Sequence, residues 1–214
     1  MVFKNREQAG KMLALRLKKY KGTECALLAL PRGGVPVAAE ITTVLKVPVQ
    51  VLLVRKIGAP FEPEVALGAI CEDAEPFWNQ DLLERIGLTA LDLQPVVKKE
   101  RAKIRSQREK FRARSLTSTA PNVAGQTAIV VDDGLATGAT MMAAVQYLEG
   151  KGAKGIVVAV PVAPETTLQK LRDRGVETVS LESPRDLISV GQWYGDFSQV
   201  SDSEVVNLLE QSPS

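Results

Sequence analysis

The sequence predicts an α/β fold: a doubly wound, mainly parallel five-stranded sheet with a small hood and an inserted helical segment. Three observations carry this. Short runs of Val, Leu, Ile and Ala alternate with stretches of helical period. Each run stops at Gly, Pro or a charged residue. Aromatic residues, at 5% of the chain, are too few to carry the core, so it rests on aliphatic side chains, the usual content of a parallel sheet buried on both faces.

The elements follow in order. A first helix begins near Asn5, with Gln8 three residues on as its capping partner and Ala9, Met12, Leu13 and Leu17 as its apolar face. Residues 25–30 form a buried strand that stops at Pro31, and the turn Pro31, Arg32, Gly33, Gly34 leads into a crossover helix over 35–45. A second strand over 49–54 ends at Arg55 and Lys56, completing a βαβ unit with charged residues at strand ends. Residues 57–64, with Gly58, Pro60 and Pro63, read as a mobile loop, and 65–71 as a further strand. Residues 80–87 give one or two helical turns, and 95–111 a longer helix whose Val97, Ile104 and Phe111 recur every seven residues. A strand over 127–131, a helix over 139–148, a strand over 156–160, a helix over 164–174 capped by Gly175 and a last strand over 176–181 complete the alternation. Beyond Pro184 come Trp193, Tyr194 and Phe197, then a capping box, Ser201 with Glu204, for a terminal helix through Leu209.

At 214 residues this is one principal domain, with 80–114 as a helical insertion and 184–214 as a C-terminal hood. The absence of histidine excludes Ser-His-Asp, Cys-His and HExxH chemistry. Cys25 and Cys71 lie in apolar runs and read as buried reduced thiols rather than a disulfide framework or zinc site. No apolar window reaches the length of a membrane helix and the N-terminus turns polar early, so a cytoplasmic protein with no membrane partner is expected. The net charge of +2 hides a basic stretch: residues 98–114 carry nine Lys or Arg against two Glu. That helix is expected to present a solvated face. Covering the active site, dimerisation through Val97, Ile104 and Phe111, and RNA contact are its other readings, but no reading motif accompanies it, so nucleic acid is not the expected partner.

The sharpest signal is VVDDGLATGAT over residues 130–140. Its strand delivers Asp132 and Asp133 to the carboxyl edge of the sheet, where ligands enter open α/β folds. Thr137, Gly138, Ala139 and Thr140 then offer small side chains, two hydroxyls and the unpaired amides of a helix start, a cradle for phosphate. Paired carboxylates would repel a bare anion. They suit a sugar phosphate, whose hydroxyls donate to them, with a magnesium ion bridging through water. The stretch has no lysine for a Walker A loop and no GxGxxG opening the helix.

With LPRGGVPVA, VRKIGAP and WYGDF, this stretch resembles the type I phosphoribosyltransferase family, and within it a bacterial branch, over nearly the whole chain. The resemblance implies transfer of a 5-phosphoribosyl group from phosphoribosyl pyrophosphate to a small nitrogen heterocycle, with Mg2+ as cofactor and a homodimer as the assembly. It implies that Asp132 and Asp133 contact the ribose hydroxyls and hold the metal, directly or through water, that Ala136, Thr137, Gly138, Ala139 and Thr140 hold the 5-phosphate, and that Gly134 belongs to the substrate site with them. Arg32, Gly33 and Gly34 would form the pyrophosphate loop, with a cis peptide at Arg32-Gly33, and Arg55 and Lys56 a basic pair near the pyrophosphate or base. Asp132, Asp133, Arg32 and Lys56 are the implied catalytic set; Asp132, Asp133, Glu62 and Glu64 are the candidates for a general base, with Glu62 and Glu64, which flank Pro63 in the loop, read first as solvated carboxylates. Val190, Gly191 and Trp193 belong to the hood; for Trp193, Tyr194 and Phe197, packing of that hood is favoured over stacking on a heterocycle. A noncatalytic module that binds phosphoribosyl pyrophosphate or a nucleotide for regulation is the alternative function.

Overall fold

The structure, a computed structural model, describes residues 2–62, 65–71, 74–112 and 122–212, with backbone alone over 110–112. In chain order the elements are α1 (Arg6–Arg16), β1 (Cys25–Ala29), α2 (Gly34–Leu45), β2 (Val49–Val51), β3 (Val54–Gly58), β4 (Ala66–Cys71), β5 (Phe77–Trp78), α3 (Gln80–Ile86) and α4 (Gln94–Arg112). β6 (Thr127–Val131), α5 (Ala139–Gly150), β7 (Gly155–Val162), α6 (Glu165–Asp173), β8 (Glu177–Glu182) and α7 (Asp202–Glu210) follow.

The caps form as their spacing predicts. Asn5 accepts from the Gln8 amide at 2.9 Å while Gln8 accepts from the Lys4 amide at 2.7 Å, satisfying two backbone donors at the start of α1. Ser201 accepts from the Glu204 amide at 3.1 Å at the start of α7.

Five strands form a wholly parallel sheet in the order β2-β1-β6-β7-β8. Successive residues of a strand point to opposite faces. Leu27, Ala29, Ile129, Val131, Val157 and Ala159 meet α1, α2 and α7 on one face. Ala26, Leu28, Ala128, Val130, Val158 and Val160 meet α5 and α6 on the other. Every residue of β1 is buried, which is why its sequence reads as a continuous apolar run. Cys25 and Cys71 are both buried and neither is in a disulfide. Among the described residues no helix is long and apolar enough to cross a membrane.

The middle of the chain departs from expectation. The apolar run over 49–54 is two pieces: β2 ends at Val51, the buried Leu52 and Leu53 turn the chain, and β3 starts a separate three-stranded antiparallel sheet, β3-β4-β5. Ile57 and Gly58, expected in a mobile loop, are the last residues of β3, and Ile57 is fully buried. Beyond β3 the Ala59 amide donates to the Val65 carbonyl at 2.9 Å; Pro63 and Glu64 lie outside the described residues. α4 covers this hairpin, burying Val97 and Ile104 in the chain's own core. That corrects the dimerisation reading of the seven-residue stripe for those two residues, because an open hairpin face needs a cover and α4 supplies it. The Phe111 side chain lies outside the described residues.

Candidate active site

β1 and β6 are neighbours, with Ala29 opposite Val131. From β1 the chain crosses to β2 on one side of the sheet; from β6 it crosses to β7 on the other. The winding therefore reverses between β1 and β6, and the crevice of an open α/β sheet lies at the carboxyl ends of such a pair. The two loops singled out in the sequence both emerge there, residues 31–34 after β1 and 132–138 after β6.

They touch. The Leu30 amide donates to the Val131 carbonyl at 2.9 Å, and the Gly34 amide turns back to donate to Leu30 at 3.0 Å. A Cβ added to Gly33 would lie 1.9 Å from Asp133 Oδ2, and one on Gly34 would lie 2.5 Å from the Val131 carbonyl oxygen. Gly33 has φ −64°, open to any residue, so glycine is required for space and not for conformation. The cis peptide lies at Pro31-Arg32, one bond before the expected Arg32-Gly33. The partly exposed Arg32 guanidinium comes within 3.8 Å of Asp202 at the start of α7.

The acid pair is asymmetric. Asp132 accepts from the Asp133 amide through Oδ1 at 2.9 Å. Burial, with the Asp133 charge beside it, pushes the Asp132 carboxyl well above the usual carboxylate range. Asp133 instead has a cation: Arg6, the first residue of α1, donates from Nε to Asp133 Oδ2 at 2.8 Å, the two side chains being 11% and 15% exposed. Arg6 also donates from Nη1 to the Ser198 carbonyl at 2.9 Å, and its guanidinium carbon sits 3.9 Å from the centre of the Phe197 ring. Phe197 stacks on Tyr194 at 5.1 Å, and the Tyr194 hydroxyl donates to the Asp133 carbonyl at 2.5 Å. Tyr194 is buried against Phe3, and burial, then the Asp133 charge, raises its phenol far above the ordinary range.

The rest of the loop is only partly covered. A Cβ on Gly134 would lie 2.5 Å from Val190, so the C-terminal segment crosses directly over it. Ala136 and Thr137 are exposed, and the Ala136 carbonyl accepts from the Thr167 hydroxyl at 2.9 Å. Gly138, at φ 76°, turns the chain into α5, a left-handed conformation that favours glycine. Ala139 and Thr140 are the first residues of that helix, where amides have no carbonyl partner within the helix.

Arg55 and Lys56, expected to act as a pair, are adjacent residues of β3, and strand geometry sends their side chains to opposite faces. Arg55 donates to Glu100 of α4 at 2.6 Å, and Lys103 donates to the same carboxylate at 2.5 Å. Burial alone would raise Glu100, but the hydrogen bonds and charges of Lys103 and Arg55 hold it below the usual carboxylate range. Lys56 is exposed, as is Glu62 beyond β3. The hood aromatics pack on the chain's own N-terminus: the Phe3 amide donates to the Trp193 carbonyl at 2.7 Å and Tyr194 contacts Phe3.

Sequence reasoning missed Arg6 and Glu100. For Arg6 one signal existed: a cation opening a helix opposes the macrodipole, which favours acids there, so it calls for a partner elsewhere. That partner is 127 residues away.

Among the described residues no cluster of three or more His, Cys, Asp or Glu is assembled to hold a metal. The donor set of two adjacent carboxylates fits magnesium, which takes one or two carboxylates and completes its shell from substrate phosphate oxygens and water.

Fold and crevice together define a doubly wound α/β protein with its ligand crevice at the switch point between β1 and β6. Residues 3–192 match the Phosphoribosyl transferase domain, and the chain belongs to that family. It is 40% identical over 211 residues to "Putative phosphoribosyl transferase MT0597" of Mycobacterium tuberculosis (strain CDC 1551 / Oshkosh), a match that covers 99% of this chain and 47% of that protein. The chain thus spans about half the length of the curated relatives it matches. The crystal structure of TT1426 from Thermus thermophilus superposes with a TM-score of 0.82 at 36% identity, covering 100% of both chains. AQ2163 protein from Aquifex aeolicus shares the fold at a TM-score of 0.52 and 12% identity, over 87% of this chain and 78% of its own.

Proposed function

We propose that this chain transfers a 5-phosphoribosyl group from phosphoribosyl pyrophosphate to a nitrogen heterocycle, releasing pyrophosphate. The observation that carries the reading is the contact between the two loops at the switch point, where Gly33 has no Cβ to strike the Asp133 carboxylate.

In this reading Asp132 and Asp133 accept hydrogen bonds from the ribose 2- and 3-hydroxyls, which fixes the ring and its C1 carbon. The amides from Ala136 to Thr140, at the start of α5, hold the 5-phosphate, the exposure of Ala136 and Thr137 leaving access. Arg32 and the Gly33 amide lie on the opposite lip of the crevice, where they orient the departing pyrophosphate, while Gly34, its amide turned back to Leu30, lets the loop approach the end of β6. Lys56 adds positive charge from the hairpin. As the C1–oxygen bond breaks, positive charge grows on the ribose ring and negative charge on the leaving group, so alignment and fixed cations supply most of the catalysis, and histidine is not needed. Asp132 and Asp133 would hold Mg2+, partly through water, and when bound it would neutralise pyrophosphate oxygens. The proton of the incoming heterocycle passes to Asp132, Asp133, Glu62 or Glu64. The family resemblance also implies a homodimer, which sedimentation equilibrium reads directly.

Calorimetric titration of phosphoribosyl pyrophosphate with Mg2+ tests the site: replacing both acids, Asp132→Asn with Asp133→Asn, is expected to weaken binding by more than about a hundredfold, two charged hydrogen-bond acceptors being lost. Equal affinity in the double variant would overturn the ribose assignment. Incubation with purines, pyrimidines and pyridine carboxylates, with detection of pyrophosphate and new nucleotide, tests the transfer and identifies the acceptor. Tight binding without turnover across that panel would favour the regulatory alternative.

A further inference from the structure

We infer that Arg6 is a positioning residue that sets both the charge and the aim of the acid pair, an inference that rests on the sugar-phosphate reading of the site. The problem it solves is electrostatic. Two adjacent carboxyl groups repel each other and a ligand that is itself an anion, and one cation in direct contact offsets the charge on Asp133. Arg6 is that cation, 2.8 Å from Asp133 Oδ2.

Its second effect is geometric. Arg6 takes Oδ2, which leaves Oδ1 of Asp133 to accept from a sugar hydroxyl. The guanidinium is itself fixed by the Ser198 carbonyl and by the face of Phe197, so the carboxylate cannot swing and carry its partner along. The Asp133 main chain is held from the same segment by the Tyr194 hydroxyl. Side chain and backbone of one acid are thus clamped by residues that, in sequence, stand near the two ends of the described chain. The Phe3 and Lys4 carbonyls bind those segments together, accepting from the Gly195 amide at 2.7 Å and the Asp196 amide at 2.8 Å. A flat guanidinium makes the stack and both hydrogen bonds at once; an ammonium group keeps the charge and loses the stack.

The test compares wild type, Arg6→Gln and Arg6→Lys, titrating each with ribose 5-phosphate and with inorganic phosphate, and measures turnover of phosphoribosyl pyrophosphate with any acceptor found above. Removing a charged hydrogen bond to Asp133 is expected to weaken ribose 5-phosphate by roughly 10- to 100-fold in Arg6→Gln. Inorganic phosphate, which has no sugar to present to Asp133, is expected to lose less, and Arg6→Lys to recover part of the sugar-phosphate affinity. A purely structural role would lower both ligands by the same factor without recovery in Arg6→Lys, and that outcome overturns the inference. So does unchanged ribose 5-phosphate affinity in Arg6→Gln. If wild type turns over phosphoribosyl pyrophosphate while the ratio of the two affinities is the same in all three proteins, the Arg6 inference fails alone. If wild type binds ribose 5-phosphate but transfers nothing, the transfer reading fails and the same ratio still judges Arg6. Absence of ribose 5-phosphate binding in wild type overturns both.

Discussion

Replacing Gly33 by Ala sets two physical effects against each other. On backbone grounds the change is favourable: φ is −64°, alanine adopts it freely, and a stiffer unfolded chain is worth about 0.4–1 kcal/mol. On steric grounds it is severe, because the new methyl carbon falls 1.9 Å from Asp133 Oδ2 and 2.4 Å from Cγ. To restore contact distance the carboxylate must retreat by about 1.5 Å, but Arg6 holds the very oxygen that is struck. Overpacking of this kind costs about 1–3 kcal/mol, and straining a charged hydrogen bond adds about 1.5–3 kcal/mol. After the backbone gain, a net loss of roughly 2–5 kcal/mol is expected, which for a chain of this size lowers the melting temperature by roughly 5–15 °C. The assay is urea and thermal denaturation of wild type, Gly33→Ala, Asp133→Ala and the double variant. Because the struck atoms are absent in Asp133→Ala, Gly33→Ala should cost little in that background, giving a coupling of about 2 kcal/mol or more. A Gly33→Ala protein as stable as wild type, or equally damaged with and without Asp133, would refute the claim that these loops are in contact.

Two further outcomes follow from the same contacts. Glu100→Gln is expected to lower the urea midpoint at neutral pH by releasing Arg55 and Lys103. Glu100 titrates below its unfolded value near 4.3, so the stability it adds is full above that pH and disappears as pH falls through the folded value. The gap between wild type and Glu100→Gln should therefore close below about pH 4, and a gap independent of pH would remove the ion-pair account. Tyr194→Phe keeps the ring contacts and deletes the donor to Asp133, costing about 1 kcal/mol. The raised phenol contributes stability that is intact below about pH 10 and lost as pH rises further, so wild type should lose more of its urea midpoint between pH 9 and 11 than Tyr194→Phe. An identical alkaline decline in both proteins would show that Tyr194 is not the buried group.

Most of the parallel sheet was legible because a strand buried on both faces has to be an aliphatic run, and 25–30, 127–131 and 156–160 have no other economical reading. Caps were legible for the same local reason: Asn5 with Gln8 and Ser201 with Glu204 are short-range hydrogen bonds written in adjacent turns. The hairpin was not. Leu52 and Leu53 continue the apolar run across the point where the chain leaves one sheet for another, so burial hides the break, and β5 is two residues long. Reading Arg55 and Lys56 as one basic pair ignored the period of two that a strand imposes, and only the position of α4 reveals that Arg55 faces Glu100.

The candidate site divides along the same line. Loops at a strand end announce their chemistry through composition, so Asp132, Asp133 and the glycines stood out. What makes two neighbouring acids different from each other is tertiary, and no local pattern records it. Asp132 is half-buried with its own loop's amide as donor; Asp133 is walled by Gly33, paired with Arg6 and tied through its carbonyl to Tyr194. These three restraints come from three separate segments, so a substitution in α1 or in the C-terminal segment reaches the acid pair without touching any ligand. The N-terminal and C-terminal segments are therefore part of the site's construction: with Arg6 and Tyr194 removed, Asp133 would keep only the wall of Gly33 and would present an uncompensated carboxylate, free to turn, beside Asp132.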